Sequence, residues 1–257
     1  MKDVALITGA SSGIGLELAK IHASKRRDLI LVARRLNRLE ELKEELSSKY
    51  GVQVMVIEKD LSKIHAASDL YEIIKATGIQ VDYLINNAGF GGHGRFHERD
   101  WNRDFDMIQL NIAALTELTR CFLPEMVERK RGRVLNLASM AAFLPGPYQA
   151  VYYATKAFVL SFSEAIASEL DGTGVTVTAL CPGPTKTEFE QVAEVTGTKA
   201  FMINASVRSV ATYGYAAMMR GQTVAVPGTT NRLLVHYLLR MTPKKVARRV
   251  SKLLMEK

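Results

Sequence analysis

Val4-Ala5-Leu6-Ile7-Thr8-Gly9-Ala10-Ser11-Ser12-Gly13-Ile14-Gly15 is the stretch that decides the architecture. Val4 to Ile7 is a short apolar run without helical period, the pattern of a parallel strand buried on both faces. Gly9, Gly13 and Gly15 then form a G-x-x-x-G-x-G turn, and Ile14, Leu18 and Ile21 fall on one stripe of a helix. A glycine turn gains meaning from this setting, between a strand and a helix. There the backbone can approach a pyrophosphate, whose charge sits at the helix N-terminus. The spacing departs from the general G-x-G-x-x-G, so position carries the reading more than pattern does.

The same alternation continues along the chain. Strand-like runs recur at 4–8, 28–33, 52–57, 81–86, 132–138, 174–180 and 222–226. Helical patterns separate most of them; Leu36, Leu39, Leu42 and Leu46 make one apolar stripe among glutamates and lysines. Repeated βαβ units predict an α/β, Rossmann-type doubly wound fold. Its sheet is mainly parallel and seven-stranded, with helices on both faces. Residues 1–257 read as one domain. The stretch 186–220 breaks the rhythm and is expected to cover a substrate, because such insertions lie at the sheet edge where open α/β folds bind ligands. A plain surface excursion is the competing reading.

The 257 residues, 47% of them hydrophobic, suit one globular domain with a sizeable core. No apolar run reaches the length of a spanning helix. A strand starting at Val4 leaves no room for a signal peptide ahead of it. Cys121 and Cys181 are isolated, as expected of reduced thiols in a cytoplasmic protein. His93 and His97 have a four-residue spacing but lie in a Gly-rich loop without further ligands, so no metal site is expected. The net charge of +8 is uneven, since residues 240–257 hold seven cations and one glutamate. The rest of the chain is close to neutral, which argues against nucleic-acid binding.

Ser139 precedes Tyr152 by 13 residues, and Lys156 follows Tyr152 by four. The last two share one helix face, and a cation near a phenol stabilises the phenolate. From a reference of about 10, a shift of a few units would let Tyr152 exchange a proton near neutral pH. Tyr153 has Ala157 at its own i+4 position and lacks such a partner. Tyr-x-x-x-Lys alone is equally an ordinary amphipathic helix.

Together, Thr8 to Gly15, Asn86-Asn87-Ala88-Gly89, Asn111, Ser139, Tyr152, Lys156 and Pro182-Gly183-Pro184-Thr185-Lys186-Thr187 resemble the short-chain dehydrogenase/reductase family. The resemblance covers roughly residues 1 to 190 well, and the remainder loosely. It implies hydride transfer between a nicotinamide cofactor and a carbonyl or alcohol. Ser139 would hold the oxygen, as oxyanion donors do, and Tyr152 would give or take the proton. Lys156 would tune the phenol and bond the nicotinamide ribose, and Asn111 would support a water leading from Lys156 to solvent. For the cofactor the resemblance implies Gly9, Ser11, Ser12, Gly13, Ile14 and Gly15 at the phosphates, and Asp60 with Leu61 at the adenine. It implies Asn87, Ala88 and Gly89 at the adenosine ribose. Pro182, Gly183, Thr185 and Thr187 would meet the nicotinamide end, with Tyr152 and Lys156.

The strand Leu29-Ile30-Leu31-Val32-Ala33 ends in Arg34 and Arg35, and the next carboxylate is Glu40, inside the following helix. A dinucleotide fold that reads a bare 2′-hydroxyl places an acid here; guanidinium groups suit a 2′-phosphate. The expected cofactor is therefore NADP(H), with Arg34 as the main reader. The competing reading has both arginines simply beginning a solvated helix.

The expected activity is NADP(H)-dependent interconversion of a carbonyl and an alcohol. Alternatives are an epimerase or dehydratase of the extended branch, which needs a larger C-terminal domain, and a non-catalytic NADP(H)-binding regulator. The resemblance also implies a homodimer or homotetramer through helices near 103–126 and 151–170. In the basic tail at 240–257, Thr242 and Pro243 suit a helix start. Val246, Val250 and Leu253 form a stripe expected to pack on protein; peripheral contact with an anionic membrane is the less favoured alternative.

Overall fold

Val4–Thr8 is buried at every position and forms β1 of the protein, seen here in a computed structural model that describes residues 1–198, 205–235 and 241–256. The other strands are β2 (Leu29–Ala33), β3 (Val54–Glu58), β4 (Val81–Asn86), β5 (Gly132–Leu137), β6 (Val175–Leu180) and β7 (Val224–Ala225). They form one sheet in the order β3-β2-β1-β4-β5-β6-β7. Every pairing in it is parallel, with Ile7 beside Leu31 on one side of β1 and beside Ile85 on the other. The strand readings agree with the sequence to within a few residues, except at the last. There the run 222–226 shortens to two paired residues.

Side chains of a strand alternate between faces, and β1 shows what each face meets. Ala5 and Ile7 pack toward α1 (Gly13–Ala23), α2 (Leu36–Tyr50) and the helix Val207–Met219. Val4 and Leu6 pack on the opposite face with α3 (Ala66–Ala76) and a long helix. That helix runs as α4 (Trp101–Ile108), a π-helical turn (Gln109–Ala114) and α5 (Leu115–Glu128). α6 (Ala150–Glu169) completes this layer beside β5 and β6. The strand order reverses between β1 and β4, so a crevice opens at their C-terminal ends. Residues 9–15, 87–91, 138–140 and 181–187 all leave strands at that edge.

The stretch 186–220 divides in two, which corrects its reading as one covering segment. Its first part holds the short α7 (Phe189–Val192) near the crevice. Its second part, α8 (Val207–Met219), is the crossover helix between β6 and β7. Val210, Ala211, Tyr215, Ala217 and Met218 are buried in the core with α1. The Tyr215 hydroxyl lies 3.0 Å from His22 Nδ1 and receives Arg27 Nη1 at 3.2 Å. His22 Nε2 stands 2.8 Å from Asp3 O, and burial pulls the imidazole down to about 4. A neutral ring that donates from Nε2 and accepts at Nδ1 satisfies all three groups.

After α9 (Thr229–Leu233), the basic tail folds as α10 (Lys244–Met255), with Pro243 at its N-cap rather than in its first turn. Its inward residues are Ser251 and Met255, with Ala247 half-buried on the same stripe. Val246, Val250 and Leu253, expected to pack on protein, are exposed instead. Arg240 and Lys257 lie outside the described residues.

Candidate active site

The glycine turn is fixed from below by β4. Thr8 Oγ1 accepts the backbone N–H groups of Asn87 and Ala88 at 3.0 Å each. Asn87 Nδ2 donates to Thr8 O at 2.9 Å and Gly9 O at 3.2 Å. A Cβ on Gly15 would lie 2.4 Å from that Asn87 nitrogen and 2.5 Å from Gly9 O, so only glycine fits. Asn87 and Gly15 thus hold the turn in shape. α1 starts at Gly13 with no side-chain cap from Ser12 and no acid in its first turn. An eleven-residue helix beginning this way presents free donors and the positive end of its dipole. A pyrophosphate fits these groups.

Beyond β2, the two arginines separate. Arg34 is exposed at the strand end. Arg35 turns back to the glycine turn and donates from Nη2 to Ser11 Oγ at 3.0 Å and Ser12 Oγ at 2.9 Å. Arg35, rather than Arg34, is therefore the guanidinium already fixed on the turn. Asp60 Oδ1 accepts the N–H and hydroxyl of Ser62, which shapes the loop after β3 and buries Leu61.

Ser139 leaves the end of β5 and caps a 3₁₀ turn, accepting the Ala141 N–H at 3.1 Å. Its hydroxyl shares a hydrogen bond with Tyr152 across the crevice. Lys156 is only 4% exposed. Its Nζ donates to Leu137 O at 2.6 Å and stands 5.8 Å from the Tyr152 ring centroid, over the ring face. Burial pulls this ammonium down to about 8. The Tyr152 phenol is raised, chiefly by burial, with the Ser139 bond acting the other way. This differs from the expectation of a phenol depressed by Lys156: desolvation is the largest influence on the phenol, and the Ser139 hydroxyl is what opposes it.

Asn111 is buried in the π-helical turn, an irregularity that often marks function. Its Nδ2 donates to Phe90 O at 2.9 Å and Thr155 Oγ1 at 3.1 Å, and its Oδ1 accepts the Phe90 N–H at 3.2 Å. A Cβ at Gly89 would lie 2.8 Å from Asn111 Oδ1 and 3.6 Å from Lys156 Nζ, so loop, asparagine and ammonium stand together. Pro182 O accepts the Met140 N–H at 2.9 Å and ties the segment after β6 to the Ser139 turn. Gly183 faces Met140 and Asn231, and Thr185 Oγ1 bonds Gly183 O. Thr187 stands over Gly13, its methyl 3.4 Å from where a Cβ would be.

Two residues at the site, Glu188 and Phe189, escaped the sequence reading, as did the network that Asn86 makes behind it. Glu188 bonds Arg35 and Arg38, and the Phe189 ring lies 5.3 Å from the Tyr152 ring. Behind β4 and β5, Asn86 Nδ2 donates to Asn136 Oδ1 and Thr119 Oγ1, and Asn136 Nδ2 donates to Ser163 Oγ. Asparagines inside apolar strand runs were the available signal for this network.

Among the described residues, no group of three or more His, Cys, Asp or Glu side chains could hold a metal ion. No helix among them is long and apolar enough to cross a membrane.

The family pattern described as short chain dehydrogenase matches residues 3–196, which contain the turn, Ser139, Tyr152 and Lys156. The chain belongs to the short-chain dehydrogenase family. It is an oxidoreductase by that membership, in a family that uses nicotinamide dinucleotides. An uncharacterized oxidoreductase of Myxococcus xanthus is 36% identical over 72% of this chain and 73% of its own length. A very-long-chain 3-oxoacyl-CoA reductase of Pyrenophora tritici-repentis is 40% identical over 67% of this chain, which spans about half, 52%, of that protein. Among solved structures, a short-chain dehydrogenase from Sphingobium yanoikuyae in complex with NADPH is 31% identical. It covers 96% of this chain and 94% of its own, with a TM-score of 0.83.

Proposed function

We propose that this short-chain dehydrogenase is an NADP(H)-dependent reductase of aldehydes or ketones, acting also on the corresponding alcohols. The observation that carries the reading is Ser139, Tyr152 and Lys156 gathered at one mouth, beside an uncapped helix start. The bound nicotinamide would supply or accept the hydride.

Ser139 would donate its hydroxyl hydrogen to the substrate oxygen, on which negative charge develops. Tyr152 would give its phenolic proton to the same oxygen. A phenol raised by burial stays protonated at neutral pH, which is the form reduction needs. Lys156 would hold positive charge against the ring as phenolate develops, and would bond the nicotinamide ribose. Asn111, fixed by Phe90 and Thr155, would keep the π-helical turn open beside Lys156. Phe189 would close the substrate side of Tyr152. An intact proton donor argues against a non-catalytic sensor.

NADP(H) preference rests on Arg35 at Ser11 and Ser12, with Arg34 beside it, and on no acid at the end of β2. The NADPH complex of the Sphingobium protein supports it by similarity. NADPH oxidation against a panel of aldehydes and ketones tests the activity; no turnover on any member would reject it. A charge-assisted bond to phosphate is worth about 1.5–3 kcal/mol. Arg35→Ala should therefore weaken NADPH about ten- to a hundredfold and leave NADH nearly unchanged. Arg34→Ala should cost no more. Equal losses for both cofactors would remove the 2′-phosphate from the argument.

Homo-oligomers are typical of the family, and we place the subunit contact of this chain on α4, α5 and α6. The stacked Phe158 and Phe162 on α6 offer apolar surface there, with Phe158 exposed.

A further inference from the structure

Glu188 stands where the cofactor's adenosine end would approach. Its Oε2 accepts Arg35 Nη1 at 2.9 Å, and its Oε1 accepts Arg38 Nη1 at 2.6 Å. It also shares a hydrogen bond with Ser12. Arg35 is at the same time bonded to Ser11 and Ser12 on the glycine turn. A carboxylate held by two guanidinium groups and a serine uses the same donors that a phosphate would use.

We propose that the Glu188 carboxylate is an internal competitor for the cofactor's 2′-phosphate, neutralising Arg35 and Arg38 in the free protein until the phosphate displaces it. The inference rests on the NADP(H) reading above and adds a residue that sets its strength. Three neighbouring side chains fix where Glu188 acts. Thr187 lies over Gly13 of the turn, Glu188 lies on Arg35, and Phe189 lies on the Tyr152 ring. The segment therefore crosses from the phosphate turn to the catalytic tyrosine, and Glu188 is its anchor at the phosphate end.

The exchange is physically easy. Both ion pairs are two-fifths exposed, and pairs in that setting are weak because water screens them. The guanidinium groups, Arg38 first, hold the Glu188 carboxyl below its ordinary range, so it is ionised at neutral pH. A 2′-phosphate carries about −1.5 to −2 charge, as phosphate monoesters do, and three acceptor oxygens. It outcompetes one carboxylate for the same forks, yet it binds less tightly than it would without the competitor. A cofactor with a bare 2′-hydroxyl has no need to displace Glu188 and loses nothing to it.

Glu188→Gln keeps the shape and removes the charge. Calorimetric titration with 2′,5′-ADP and with 5′-AMP isolates the 2′-phosphate, because neither probe reaches Tyr152. For the wild type, tighter binding of 2′,5′-ADP than of 5′-AMP is the condition set by the NADP(H) reading. Glu188→Gln should then tighten 2′,5′-ADP about three- to tenfold, the scale of two exposed ion pairs no longer to be broken, and leave 5′-AMP unchanged. The gain should vanish when Arg35→Ala is added. Unchanged or weaker 2′,5′-ADP binding by Glu188→Gln, in a wild type that does discriminate, overturns the competition and leaves the NADP(H) reading standing. A wild type that binds both probes equally overturns both. Circular dichroism and thermal melting confirm that each variant is folded before it is titrated.

Discussion

Helices α6 and α10 meet at the rim of one crevice, and both carry cations. α6 buries Lys156 to 4% exposure, and its Nζ donates to Leu137 O. α10 leaves Lys245, Arg248, Arg249 and Lys252 in water. Burial pulls Lys156 down to about 8. The difference teaches that one desolvated cation can shape chemistry where four solvated ones set only a surface field. The helices touch through Tyr153, whose hydroxyl lies near Ser251 and whose ring packs with Met255 and Ala141. Tyr152, one residue earlier, faces Ser139 and Phe189 instead. A rotation of about 100° per residue thus divides the proposed catalytic face from the docking face within a single Tyr-Tyr pair.

The largest effect should separate those two tyrosines. Tyr152→Phe keeps the ring and loses the proton, and turnover should fall about a hundred- to ten-thousandfold. Cofactor binding, read by fluorescence titration, should stay near wild type. Tyr153→Phe should leave turnover nearly unchanged and change stability by no more than about 0.5 kcal/mol, because no hydrogen bond ties the Ser251 hydroxyl to it. Activity of Tyr152→Phe within about tenfold of wild type, roughly 1.4 kcal/mol of barrier, would end its role.

Lys156 should show a trade between activity and stability. Its folded pKa of about 8 lies below the 10.5 it has when unfolded. Between these values the unfolded chain holds more protons, so stability rises with pH there; below pH 8 the buried charge costs its full amount. Lys156→Met should abolish efficient turnover and weaken the cofactor. It should also stabilise the fold at pH 7 by up to about 3 kcal/mol, less about 1 for the lost bond to Leu137 O. In urea unfolding the gap to wild type should shrink by pH 10. A gap that does not move with pH would show that the buried ammonium carries no such cost. Wild-type turnover should fall above about pH 8 as the ammonium is lost.

The contrast also shows what the sequence made legible. The fold followed from apolar runs and one glycine turn, because a parallel strand buried on both faces has no other simple pattern. Ser139, Tyr152 and Lys156 stood out through the resemblance and the Tyr-x-x-x-Lys spacing, and the fold brings the three together at the end of β5 and one face of α6. Glu188 did not stand out: its partners, Arg35 and Arg38, lie 153 and 150 residues away and are joined to it only by the fold. α8 was assigned to a covering segment because its stripe looks the same whether it meets a substrate or α1. In α10 the apolar stripe was visible, but the inward direction was set by Tyr153 and by His93, whose Nε2 lies 2.8 Å from Met255 O. No local pattern marks either of these partners.

The smallest effects should come from α10 itself, where two faces of one helix can be compared. Ser251 Oγ is buried without a hydrogen-bond partner, so Ser251→Ala should leave the unfolding free energy unchanged or raise it, without touching turnover. Val250 is 50% exposed and Leu253 56%. Val250→Gln and Leu253→Gln should therefore change unfolding free energy by no more than about 0.5 kcal/mol, as surface substitutions do. That expectation breaks if either glutamine variant costs more than about 1 kcal/mol. Such a loss, together with a melting temperature that rises with protein concentration, would mean that a second copy covers the strip in solution. Repulsion among the exposed lysines and arginines of two facing α10 helices opposes that arrangement, and it weakens as salt screens it. The comparison is therefore sharpest at low salt, where the strip should behave as free surface.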